Sequence, residues 1–272
     1  MLICDNNILC VNCIKTNILN PQILAAEKDF FLVYKPPRMH SSPQVNSPGE
    51  TLLDWCAARF PEIMEPAGRR KGEGGLLHRL DYETHGLMLI ARNSKGMISL
   101  LQQHREGIIL KEYNALTTDR ETVLHGFPAG KSGKSMKEDL LQRHRELYRI
   151  KSAFRPYGPG RRAVRPVLID NTGKEKPGRI YITEILESRQ ISTFGFPSLF
   201  SFRLRISRGF RHQIRSHLAW LGMPIINDRL YGGLVFGNDL LALRASSLLF
   251  NDPSSGEGMC YSIPQLELSE IL

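Results

Sequence analysis

Several short stretches combine residue types that can do chemistry. The first is His78-Arg79-Leu80-Asp81-Tyr82-Glu83-Thr84-His85-Gly86, followed at once by the apolar run Leu87-Met88-Leu89-Ile90-Ala91. An apolar run entered through a polar turn reads as a buried strand, so Asp81 lies at the rim of a sheet. A carboxylate there is a candidate nucleophile or general base, although Asp81 and Thr84 are equally suited to capping the turn. A second stretch, Lys111-Glu112-Tyr113-Asn114-Ala115, places Lys111 and Tyr113 on one face of a strand by period-two geometry. In a third, Arg211 and Arg215 stand four residues apart on a predicted helix, as a solvated stripe or as cations for a carboxylate and a phosphate. His78, His212, His217 and Asp228 have metal-ligand chemistry but no paired ligand spacing, so a metal-dependent hydrolase is a minor alternative and no metal is expected.

These residues need elements to hold them. Phe30 to Tyr34 predicts a strand closed by Lys35-Pro36-Pro37, and Thr51 caps a short helix that Pro61 stops. The stretch from Gly68 to Gly75 reads as a flexible approach to the Asp81 turn. Asn93 or Ser94 starts a helix that Gly107 ends, and a strand follows from Ile108 to Leu116. Segment 117–178 is a basic insertion, with a helix expected over about 136–149. Within it, Arg155-Pro156-Tyr157-Gly158-Pro159-Gly160-Arg161-Arg162 suits phosphate contacts with base stacking, or equally a solvated basic face. Strands are predicted at Tyr181 to Leu186 and around Phe202 to Ile206, then a helix from Arg211 to Leu221. The turn-rich Pro224 to Gly233 leads to strands at Leu240 to Arg244, Ser247 to Phe250 and Tyr261 to Ile263. Helices inserted among mostly hairpin-like strands predict an α+β fold with a large mixed, mostly antiparallel sheet. Residues 1–20 read as an N-terminal extension packed late or loosely, and 21–272 as a single catalytic domain.

Thirty-six Lys and Arg against 27 Asp and Glu give a net charge of +9, which favours a polyanionic partner such as nucleic acid. No apolar run is long enough for a membrane helix and no leader pattern opens the chain, so a soluble cytoplasmic protein is expected. Five scattered cysteines suit a reducing compartment better than a disulfide framework. Cys10-Val11-Asn12-Cys13 lacks the second pair that a zinc site needs.

Taken together and in order, the stretches resemble the pseudouridine synthases of the RluA type. Val33-Tyr34-Lys35-Pro36-Pro37 is similar to the family's first motif, and His78-Arg79-Leu80-Asp81 with Thr84 and Gly86 to its second. Lys111-Glu112-Tyr113-Asn114-Ala115 resembles its Lys-x-Tyr-x-Ala strand. His212-Gln213-Ile214-Arg215-Ser216-His217-Leu218, followed by Gly222-Met223-Pro224-Ile225 and Asp228 to Gly232, resembles its third motif. The chain departs from the family at His85 (usually Ser), Phe210-Arg211 (usually Arg-Thr), Asn227 (usually Gly) and Arg244 (usually His).

The resemblance implies isomerisation of uridine in ribosomal or transfer RNA: the N1–C1′ bond breaks, the uracil turns over and C5 joins C1′. The reaction is redox-neutral and implies no cofactor. Asp81 is then the catalytic carboxylate, attacking C1′ or taking a proton from C2′, with Arg215 as its paired cation and Tyr113 stacked on the uracil. Arg79 is implied to fill the space of the flipped base, and Leu241 or Leu243 to floor the ring. His78, Thr84, Lys111, His212 and Gln213 complete the implied substrate-binding set. RNA is the expected partner, on a monomer without an obligate protein partner. The rival reading is a non-catalytic RNA-binding or RNA-chaperone protein on the same fold.

Overall fold

In a computed structural model, the structure describes residues 3–4, 8–13, 16–44, 49–66, 68, 72–121, 124–129, 135, 138–139, 142, 147–168, 178–193 and 196–271. The chain divides into two compact units: 1–112 with 244–265, and 113–243 with 266–272.

In the first unit the strands are β1 (Ile3–Cys4), β2 (Ile8–Cys13), β3 (Gln22–Ala26), β4 (Phe30–Lys35) and β5 (His85–Ala91). The start of β6 (Leu110–Thr118), most of β11 (Leu243–Asn251) and β12 (Gly258–Ser262) complete the set. β4 pairs antiparallel with β3 and β5, and β11 with β12, whereas β5–β11 and β2–β12 are parallel, so the sheet is mixed. The N-terminal segment expected to lie loosely therefore contributes strands, through the register Cys10↔Cys260.

Every residue of β4 and β5 is buried, which explains why both read as continuous apolar runs rather than alternating ones. Phe30, Leu32, Leu87, Leu89, Leu248 and Phe250 meet Met97 and Leu100 of α2 (Ser94–Glu106) in one core. α2 starts where expected, with Asn93 Oδ1 accepting from Gly96 N at 2.8 Å, and ends at Gly107 in the left-handed region. α1 (Leu52–Ala57) opens with a reciprocal cap between Thr51 and Asp54. Pro61 does not simply stop the chain there but starts a 3₁₀ turn, Pro61–Met64.

In the second unit, the rest of β6 leads the strand order β6-β10-β9-β7-β8, with β7 (Tyr148–Tyr157), β8 (Ala163–Val167), β9 (Tyr181–Thr193) and β10 (Phe196–Ile206). The β7–β8, β7–β9 and β9–β10 pairs are antiparallel. α3 (Gln213–Trp220) is anchored to this sheet by His217, whose ring nitrogens meet Ser152 Oγ of β7 at 2.9 Å and Thr183 Oγ1 of β9 at 2.8 Å. Burial holds that imidazole neutral, down to about 3.

Several boundaries differ from expectation. The helix predicted over 136–149 lies largely outside the described residues; positions 138, 139 and 142 are helical, whereas the last two, Tyr148 and Arg149, open β7. The helix predicted from Arg211 begins at Gln213, because His212 adopts φ 54° and breaks the helical path. The strands predicted at Leu240 to Arg244 and Ser247 to Phe250 give way to one strand, β11, which starts only at Leu243 and runs on through Ala245 and Ser246, so Leu240 to Ala242 lie outside it.

Candidate active site

In the first unit the Asp81 turn is fixed from both ends. Thr84 N donates to Asp81 O at 3.1 Å, closing the turn, and Ser41 Oγ both accepts from Leu80 N and donates to Leu80 O. Leu80 is 7% exposed and Thr84 2%, while Asp81 between them keeps partial solvent access. Arg79 points out, 41% exposed with Glu73 at 3.7 Å. His78 Nε2 accepts from Leu89 N at 3.2 Å, tying the approach segment to β5. Of the approach expected to be flexible from Gly68 to Gly75, residues 69–71 lie outside the described residues, and its last residue is closely packed. A Cβ on Gly75 would fall 1.9 Å from Ala91 O, so this glycine is required for close packing.

Lys35 contributes more than a strand end. Its side chain is fully buried, and Nζ donates to Pro36 O at 2.8 Å, Met39 O at 2.7 Å and Tyr82 O at 3.2 Å. Three carbonyls match the three donors of an ammonium, and one belongs to the residue directly after Asp81. Burial pulls the Lys35 pKa down to about 7, against the attraction of Asp81. Sequence reasoning met Lys35 only as a motif residue, and no local pattern signals a lysine folded beneath a turn 46 positions away.

On the other side of the turn, β5 meets β11 in parallel register, His85 with Arg244 and Gly86 with Ala245. Gly86 has φ 124°, and a Cβ there would lie 2.2 Å from Ala245 O. Arg244 Nε donates to His85 Nε2 at 3.1 Å, and its Nη1 donates to Pro264 O and Gln265 O. Burial, with Arg244 and Lys35 nearby, holds His85 neutral. Two of the departures noted in the sequence are thus hydrogen-bonded partners. Lys111, in the same unit, is 3% exposed.

The second unit holds Tyr113, His212, Gln213, Arg215, Leu241 and Leu243. Tyr113 is 6% exposed on β6. Arg215 is 4% exposed and bidentate on fully buried Asp228, with Nε–Oδ2 and Nη2–Oδ1 both 2.7 Å. The Nε–Nη2 edge of the guanidinium expected beside Asp81 holds Asp228 through two parallel bonds. Tyr231 supports the pair from beside, its ring 5.5 Å from the guanidinium carbon, while its hydroxyl donates to Val164 O. His212 Nδ1 lies 3.2 Å from the same hydroxyl.

Gln213 locks the turn before α3. Its Oε1 accepts from Phe210 N, and its Nε2 donates to Ile182 O and Thr183 Oγ1. Arg211, outside the helix, does not extend a stripe with Arg215; its Nη2 donates to Arg161 O and Ala163 O. Leu241 and Leu243 are each 2% exposed, flanking Ala242, whose N–H and C=O pair with Ile226 O and Leu116 N. The residues with metal-ligand chemistry are engaged otherwise: His78 with Leu89, His212 with Tyr231, His217 with Ser152 and Thr183, and Asp228 with Arg215.

Comparison with known proteins places these residues in a wider context. The model of the RNA pseudouridylate synthase family matches residues 29–220. Ribosomal large subunit pseudouridine synthase D of Vibrio vulnificus is 25% identical over 92% of this chain and 70% of its own. An uncharacterized RNA pseudouridine synthase of Chloroflexus aurantiacus is 31% identical over 73% of this chain and 50% of its own. The chain thus spans between half and seven tenths of these relatives' lengths. Among solved structures, human RNA Pseudouridylate Synthase Domain Containing 1 superposes with a TM-score of 0.61 at 20% identity, covering 94% of this chain and 88% of that one.

Proposed function

Because the chain belongs to the RNA pseudouridylate synthase family, and within it to the RluA type, we propose that it isomerises uridine in large-subunit ribosomal RNA with Asp81 as the catalytic carboxylate. The ribosomal target is carried from the named relatives; transfer RNA is the second substrate to test. The observation that carries the catalytic assignment is the setting of Asp81, a partly accessible carboxylate in a turn whose flanking residues are buried and whose backbone is tied to a buried ammonium.

A carboxylate serves this reaction in either of two ways, by attacking C1′ or by taking a proton from C2′. Both require the ionised form, which Lys35 favours from below the turn when it carries its proton. Atoms balance within the nucleotide: the C1′–N1 bond breaks, the uracil turns, the C1′–C5 bond forms, the C5 proton leaves and N1 is protonated. Tyr113 stacks on the uracil and is the side chain assigned to the C5 proton. Arg215, oriented by Asp228, is the cation assigned to the Asp81 carboxylate. Extruding a base costs a few kcal/mol, and Arg79, pointing outward, replaces its contacts in the stack. Leu241 and Leu243 are the candidates for the apolar floor. His78 and Gln213 act at one remove by holding backbone groups of β5 and of the turn before α3, and Thr84, Lys111 and His212 complete the substrate-binding set. Residues 21–272 work as one catalytic domain, a reading supported by a family match that runs through both compact units. The enzyme works as a monomer without cofactor.

Tritium release from RNA labelled at uracil C5 tests the assignment. The native protein should release tritium, and Asp81→Asn should not, while RNA affinity stays nearly intact because phosphate contacts dominate it. Tight, salt-sensitive binding without release by the native protein would favour the non-catalytic RNA-binding reading. Loss of folding in Asp81→Asn would make Asp81 structural.

A further inference from the structure

We propose that Tyr82 is a stacking platform for the nucleobase next to the target uridine, and so takes part in choosing which uridines the Asp81 turn engages. The inference rests on the proposed function and adds a substrate contact to it.

Thr84 N donates to Asp81 O, so residues 81–84 form a turn with Tyr82 and Glu83 at its two corners. Tyr82 is 46% exposed and takes no part in the core that β4, β5 and α2 share, yet it is held at both backbone and ring. Its carbonyl accepts from Lys35 Nζ at 3.2 Å, and its ring lies against that of His40, with centroids 4.7 Å apart and planes tilted by 41°. His40 stands on a fixed backbone in turn. Its carbonyl accepts from Leu52 N at the start of α1, and the hydroxyl of the next residue, Ser41, bonds to both backbone groups of Leu80. The loop after β4 therefore braces the ring from one side while nearly half of the residue stays accessible.

A lone exposed tyrosine needs no explanation, but one restrained at ring and carbonyl beside the candidate nucleophile does. Restraint removes side-chain freedom, and a ring outside the core gains little burial to offset that cost. A flat partner arriving on the open side gains from the same restraint, because the ring is already in place.

The chemistry of the turn selects that partner. Tyr82 directly follows Asp81, and consecutive Cα atoms are about 3.8 Å apart, so with Asp81 at the sugar of the target the ring meets an adjoining nucleotide. Glu83, exposed at the other corner, places negative charge beside the ring and disfavours a phosphate there, which leaves the uncharged face of a base. Every base has such a face and purines have the larger one, so the platform favours a purine neighbour without reading a base edge. Extruding the uridine bares a face on each of its two neighbours. Arg79 and Tyr82, on opposite sides of Asp81 in sequence, offer a planar group to each.

The test measures binding of short single-stranded RNAs with one central uridine, carrying adenosine, cytidine or an abasic residue on its 5′ or 3′ side. Tyr82→Ala should weaken binding of the adenosine-flanked RNA roughly 5- to 100-fold, the range of one base–aromatic stack. Removing the base on one of the two sides should weaken the native protein by a similar factor and leave Tyr82→Ala unaffected, so the two losses do not add. On that side the native protein should prefer adenosine to cytidine, and Tyr82→Ala should lose the preference. Tyr82→Phe keeps the ring and should bind within about twofold of native, whereas Tyr82→Leu, with bulk but no π-face, should behave as Tyr82→Ala. Tm should be unchanged in all three variants, because the side chain lies outside the core. Equal penalties on intact and abasic RNA at both sides would overturn the proposal, as would native-like binding by Tyr82→Leu or a fall in Tm that accompanies the loss. The binding readout does not depend on turnover, so tritium release by the native protein reports separately on the underlying function.

Discussion

Lys35→Met should change how stability depends on pH between 7 and 9. In the folded protein Lys35 titrates near 7, against about 10.4 for an unfolded lysine. Between those values the unfolded chain binds more protons than the folded one, so stability rises with pH and is lost as pH falls back through 7. Each pH unit in the full window is worth about 1.4 kcal/mol, and allowing for the folded group's own titration at 7, the gain from pH 7 to 9 is about 2 kcal/mol. The range is chosen because its neighbours are quiet. The His85 and His217 imidazoles, held neutral by burial, cost stability only as pH falls below their unfolded value near 6.5. The Cys56 thiol, raised to about 12 by burial, offsets under about 1 kcal/mol of the rise by pH 9, equally in native protein and variant, and the Tyr261 phenol, raised likewise, begins to destabilise only near pH 10. Urea unfolding at pH 7, 8 and 9 should therefore show the rise in the native protein and its absence in Lys35→Met. The same variant leaves three carbonyls without their donor and releases Tyr82 O, so its turnover at saturating RNA should fall as well. A native profile flat from pH 7 to 9, or an identical rise in the variant, would refute the reasoning about Lys35.

Asp228→Asn strips the carboxylate from buried Arg215 and should cost about 3 to 5 kcal/mol in urea unfolding, whereas a loss under 1 kcal/mol would contradict a desolvated pair. Arg215→Lys should lose most turnover even where it folds, because an ammonium cannot reproduce the two parallel bonds to Asp228; tritium release within a few-fold of native would count against the fork. Gly86→Ala forces a Cβ against Ala245 O at an unfavourable φ, and circular dichroism should show a marked drop in Tm, with a native Tm arguing against the β5–β11 approach. His217→Leu removes two buried hydrogen bonds and leaves Ser152 and Thr183 unsatisfied, for about 1 to 3 kcal/mol per stranded group; the variant should also lose part of the native fall in stability below pH 6, because that fall includes charging His217.

The sequence by itself determined what depends on neighbours along the chain. Asn93 and Gly107 bound α2, Thr51 caps α1, and the apolar runs at 30–35 and 87–91 become fully buried strands. Cap geometry and side-chain periodicity are local, so these elements are legible before any fold is known. The alternation Leu80 inward, Arg79 outward was legible for the same reason. Only the tertiary structure decided which charges meet. Lys35 lies beneath the Asp81 turn, Asp228 takes the fork of Arg215, and Arg244 reaches His85. Such partners are fixed by strand register and by where loops return to the sheet, and a one-residue slip in register turns every side chain to the opposite face. Even the start of α3 follows this division: periodicity carries the helix back to Arg211, but Gln213 bonded to Phe210 N and to β9 holds His212 in a left-handed turn that ends it two residues sooner.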